Sequence, residues 1–92
     1  SVTGVQTCAL PIYQFSRFLM GRMSPEQMVA AANTGTEEER QSNLCEAYFY
    51  LALWYEAKGD VRKRDEYLQK TLDTDIVHYM EYEMAQLMLQ KR

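Results

Sequence analysis

The pair Gly59-Asp60 constrains this chain most, because it interrupts one long helical pattern without ending it. It sits inside the stretch Cys45 to Ile76, CEAYFYLALWYEAKGDVRKRDEYLQKTLDTDI. Before it, Tyr48, Leu51, Ala52 and Tyr55 fall at i, i+3, i+4 and i+7, the spacing of one apolar stripe on a helix, and Leu44 extends the stripe one turn back. Glycine takes the left-handed conformation that a helix C-terminal cap needs, so Gly59 predicts a stop. Asp60 can then accept backbone N–H groups as the next N-cap. After it, Val61, Arg64, Tyr67, Leu68, Thr71 and Leu72 share one side of a second helix. A turn this short forces the two helices antiparallel, so Tyr67, Leu68 and Leu72 are expected to cover Tyr48, Leu51 and Tyr55. Each large side chain so buried contributes about 1.5–3 kcal/mol.

These residues give the stretch its likeness to a known family. It resembles a tetratricopeptide repeat, a helix–turn–helix unit of about 34 residues. Tyr48 stands where the family has an aromatic, usually Trp. Leu51 and Ala52 match its Leu-Gly/Ala pair, Tyr55 its next Tyr, Gly59-Asp60 its turn, and Leu68 its later large apolar residue. Three positions depart: Arg64 and Thr71 replace small alanines, and Ile76 replaces the closing proline. A charged side chain does not fit a tight crossing, so Arg64 is expected to snorkel outward along Tyr48. The resemblance implies an all-α fold, a TPR-like antiparallel hairpin with flanking helices, as a fragment of an α-α superhelix. It also implies a concave peptide-binding groove lined by Glu46, Phe49, Tyr50, Leu53 and Glu56. In the branch that grips acidic C-termini, two of these places are Lys and Asn. Here they are Phe49 and Leu53, so an extended or helical apolar ligand is expected instead. The alternative is that Phe49 and Leu53 contact a preceding helical pair, and a groove wall shared between both uses is compatible with either.

Four segments follow from the pattern: 1–12 as a leader, 13–35 as short helices, 36–76 as the helix–turn–helix, and 77–92 as a packing or capping helix. Tyr13 to Met20 reads as a short helix with Tyr13, Phe15, Phe18 and Leu19 available for packing, stopped by Gly21. Ser24-Pro25-Glu26-Gln27 is a helix start: Ser24 caps, Pro25 suits the first position and Gln27 completes a capping box. That helix is expected to run to Ala32 with Met28, Val29 and Ala32 inward. Residues 13–35 could be the degenerate remnant of a preceding repeat. Thr36 and Glu39 offer a second capping box, with Glu37, Glu38 and Glu39 at the positive helix end, so the long helix is expected from Glu37 to Lys58. Its first turns, to Ser42, are expected to be solvated. The last helix, Val77 to Gln90, groups Met80, Met84, Leu87 and Met88 on one face and Tyr82, Ala85 and Leu89 on another. A helix apolar over so much of its circumference needs more than one neighbour.

A chain of 92 residues is one domain at most, and it buries only about 60–65% of its unfolded surface. Its net charge is −3 and its pI about 5.1, which argues against nucleic acid and against an anionic membrane surface. No uncharged stretch is apolar and long enough to span a bilayer. Val2 to Ile12, VTGVQTCALPI, lacks charge, period and turn logic, and it resembles the translation of a short-read sequencing adapter, a contaminant of metagenome assemblies. Such residues belong outside the fold, and a bacterial metagenomic source is implied. The natural N-terminus is then missing, so export stays open and a cytoplasmic location is only the default. Cys8 also drops out of the count, leaving Cys45 without a disulfide partner.

Little here could carry chemistry. Cys45 reads as a small buried apolar residue. Asp75, His78 and Glu81 share a helix face, but a confident metal site would show a second His or a cysteine pair. The bland reading is that Asp75 caps the last helix. No phosphate loop, zinc pair or nucleophile elbow is present. The expectation is a non-catalytic helical repeat scaffold, without cofactor or metal, that binds another protein or peptide, with Glu46 and Glu56 at the groove rim favouring basic residues. Two alternatives stand beside it. One is a structural or oligomerisation module in which Met80, Met84 and Met88 pack on a second chain, giving a homo-oligomer. The other is an accessory helical domain of a larger enzyme.

Overall fold

The structure, a computed structural model, describes residues 15–76 and 80–91. Every regular element among them is a helix: a first helical stretch at 15–19 (α1), α2 (Pro25–Ala32), α3 (Glu37–Lys58), α4 (Val61–Asp73) and α5 (Met80–Gln90). The protein is therefore all-α over the described residues. The expected leader at 1–12, Tyr13, and the three residues Val77, His78 and Tyr79 before α5 lie outside them.

The local signals produce the boundaries. The Ser24 side chain accepts from the Gln27 N–H at 3.1 Å, and Gln27 Oε1 accepts from the Ser24 N–H at 2.8 Å. Thr36 and Glu39 make the same reciprocal pair at 3.2 and 2.9 Å. Each capping box satisfies two backbone N–H groups that a helix start leaves without partners. Gly59 closes α3 at φ +81°, and Asp60 opens α4 by accepting from the Lys63 N–H at 3.1 Å. Asp75 takes φ +63° and donates its N–H to the Leu72 carbonyl, so it closes α4. Aspartate is among the few non-glycine residues that tolerate this conformation. The expected role of Asp75 as a cap of the last helix falls on residues 77–79, outside the described ones.

The contacts across the turn run in reverse order. Glu56 meets Arg64, Tyr55 stacks on Tyr67, and Tyr48 reaches Tyr67 and Lys70. That order defines an antiparallel α3–α4 hairpin. At its centre Leu51, Ala52, Leu68 and Thr71 have no exposed surface. Thr71 replaces an apolar residue at no polar cost, because its hydroxyl donates to the Tyr67 carbonyl at 2.9 Å. Arg64 does not run along Tyr48. It lies across the start of α4 with Nη1 2.6 Å from Glu56 Oε1 and Nη2 2.9 Å from Asp65 Oδ1, and the carboxylates raise its pKa. Lys70 covers Tyr48 instead, its ammonium 6.0 Å from the ring centre.

The flanking helices close the core. Met28 and Ala32 of α2 and Phe18 of α1 are buried in one cluster with Phe49, Leu51 and Ala52 of α3, Tyr67 and Leu68 of α4, and Ala85 of α5. A run of rings ties the layers together: Tyr50 to Phe15 at 5.0 Å, Phe18 to Trp54 at 4.7 Å, Trp54 to Tyr55 at 5.0 Å and Tyr55 to Tyr67 at 5.6 Å. Two expected core residues point outward, Leu19 at 56% exposed and Val61 at 53%. Both stand at a helix end, where no neighbouring turn continues the buried stripe. At the other end of the hairpin the packing starts earlier than expected. Arg40, Gln41 and Ser42 are half-buried and Asn43 is buried.

Candidate interaction surface

The α3 face that the resemblance marks as a groove is graded along its length. Glu46 and Phe49 are interior, at 2% and 7% exposed, and Tyr50 is half-buried against Phe15. Leu53, at 40% exposed, and Glu56 remain at the surface. The first two turns of this face are thus covered by the chain itself, and only the last turns, at Leu53, Glu56 and Ala57, are open. The rim expected at Glu46 is corrected to an interior carboxylate. Phe49 joins the cluster that contains Phe18, Met28 and Ala32.

Charge at the open end is already engaged. Glu56 is held by Arg64, and Lys58 places its ammonium 4.5 Å from the centre of the half-buried Trp54 ring. The sequence reading missed both lysine–aromatic contacts. Lys58 follows Trp54 by one turn, a spacing that could have disclosed the first, whereas Lys70 meets Tyr48 only across the hairpin.

Helix α5 turns its inner side to α4 and α3, with Ala85 fully buried and Met88 and Leu89 against the core. Met80, Met84 and Leu87 point outward, at 72%, 41% and 50% exposed. The interface expected from Met80, Met84 and Met88 therefore divides. Met88 is half-buried against the core, and Leu87 takes its place on the outer stripe.

Cys45 is fully buried. Desolvation pushes its thiol up to about 11, against a smaller opposing effect of a hydrogen bond with Thr74, while the charges of Glu81 and Glu46 push the same way as burial. A thiol so placed is not a thiolate near neutrality, and it is the thiolate that attacks or binds metal. His78 lies outside the described residues, and among those residues no group of three His, Cys, Asp or Glu side chains could hold a metal ion. No described helix is long and apolar enough to cross a membrane. No protein-family model matches this chain, no curated protein matches it in sequence, and no solved structure matches it.

Proposed function

We propose that this chain is a non-catalytic helical scaffold of the tetratricopeptide type, whose work is to hold an apolar segment of another protein. The observation that carries the reading is the graded α3 face. Its buried part is anchored by Phe49 among α1, α2 and α3 side chains, and the same face continues into open surface at Leu53. A rigid wall that ends in an exposed apolar residue suits a segment laid along it as an extended strand or a helix. The hairpin behind it supports the same reading. Leu51 and Ala52 meet α4 at a fully buried crossing, and the reversal is made by the Gly59-Asp60 pair that the family shares.

The partner's charge is less constrained than the sequence implies. Glu46 is interior and Glu56 is engaged by Arg64, so a basic partner gains little here. The segment selected is apolar, with no basic requirement. Selection from a displayed random-peptide library tests this directly. The wild-type chain should enrich peptides with recurring large apolar residues, and Leu53→Asp should lose them with its melting temperature intact. Failure to enrich such peptides, or enrichment indifferent to Leu53→Asp, would refute the proposal.

A further inference from the structure

We infer that the outer stripe of α5 is a self-association site that takes a second copy of the same chain, helix against helix and antiparallel. Met80, Met84 and Leu87 recur at i, i+4 and i+7, so they form one continuous ridge, and all three are solvent-exposed. None is needed to hold α5 in place, because Ala85, Met88 and Leu89 do that from the other side. Methionine adapts its shape to an opposing surface at low cost, which suits a ridge that must fit a copy of itself.

The charges around the ridge select the occupant and its direction. Glu83 and Lys91 are both exposed, Glu83 beside the middle of the ridge and Lys91 one turn beyond its C-terminal end. At 1.5 Å per residue they stand about 12 Å apart along the axis. A two-fold arrangement that lays Met84 of one chain on Leu87 of its partner also lays Met80 beside Lys91 of the partner. Side chains on a helix lean toward its N-terminus, so the partner's Lys91 ammonium returns toward Glu83. Symmetry repeats the pair at the other end. A parallel arrangement would set Glu83 beside Glu83 and Lys91 beside Lys91, and the helix dipoles would then also align unfavourably. The remaining exposed residues of this side, Gln86 and Gln90, are neutral and oppose neither arrangement. None of the α3 residues invoked for peptide binding takes part.

A ridge of three side chains on a short helix is far smaller than a stable interface, so association is expected at about 10–1000 µM rather than tighter. Sedimentation equilibrium of the full chain from about 10 µM to about 1 mM should show a reversible monomer–dimer equilibrium. Leu87→Glu should leave a monomer throughout with an unchanged melting temperature, because Leu87 is half exposed. Lys91→Glu and Glu83→Lys should each weaken the dimer about 5–20-fold, two ion pairs being lost per dimer, and the double exchange should restore it to within about threefold. A strict monomer over the whole range, a dimer that survives Leu87→Glu, or an exchange that fails to restore would each overturn the inference. The last outcome would place the contact elsewhere or in another direction.

Discussion

Single side chains explain why a core with buried hydroxyls, and an arginine at its edge, holds together. Thr71 hides its hydroxyl in a bond to Tyr67 O, and Thr74 does the same with Thr71 O at 2.7 Å. Arg64 is accommodated because Glu56 and Asp65 take both sides of its guanidinium at the edge of the crossing rather than inside it. Tyr67, at 7% exposed, is one of two buried groups whose ionisation is strongly displaced. Burial first, then the neighbouring Tyr55, Glu26, Glu66 and Tyr48, pushes its phenol from 10.0 up to about 12. The folded state thus holds a proton that the unfolded chain releases earlier. The associated stability is fully present below about pH 10 and is lost as pH rises through about 12. Cys45 acts with the same sign from 9.0 to about 11. Urea midpoints measured across this alkaline range should fall from about pH 9 onward. Tyr67→Phe should flatten the part above pH 10 while changing stability near neutrality by less than about 1.5 kcal/mol. A midpoint as steep in Tyr67→Phe as in wild type would show that the phenol is not the group responsible.

At the level of elements, caps rather than propensity decide where α2, α3 and α4 begin and where α3 ends. Two capping boxes open α2 and α3, and a left-handed glycine closes α3. These signals involve residues three apart or fewer, which is why Ser24, Pro25, Gln27, Thr36, Glu39, Gly59 and Asp60 could all be read before any fold was known. Gly59 allows a clean test. A Cβ placed there would meet no atom within 4 Å, so Gly59→Ala isolates the conformational cost of φ +81° from any clash. The expected loss is about 1–2 kcal/mol, seen in calorimetry as a melting point lower by about 4–8 °C for each kcal/mol, with the helix content unchanged. A neutral substitution would mean that the turn is set by packing of α3 on α4 and not by its own backbone.

For the whole molecule, the decisive fact is which faces of α3 and α5 are covered. Phe49 and Leu53 lie one helical turn apart and look equivalent in the sequence, yet one is 7% exposed and the other 40%. Phe49→Asp should cost about 3–5 kcal/mol, through lost burial and a charge left in the core, a large part of the stability of a chain this size. Leu53→Asp should stay within about 0.5 kcal/mol. Paired denaturant titrations followed by Trp54 fluorescence would reveal the contrast, and equal losses would mean that the two positions share one environment. Met84 and Met88 divide in the same way, and for the same reason: the neighbour that separates them lies in another element.

The amino-acid sequence determined the helices, their caps, the antiparallel reversal at Gly59-Asp60 and most of the α3 stripe, because each depends on residues within one or two turns. The tertiary structure alone decided that Glu46 is interior, that Arg64 turns to Glu56 while Lys70 covers Tyr48, and that Leu87 rather than Met88 stands on the outer ridge. A helical pattern tells which side chains share a face, but exposure depends on which other helix lies against that face. That is settled by the joint packing of α1, α2, α4 and α5 around α3, a property that no single stretch of sequence contains.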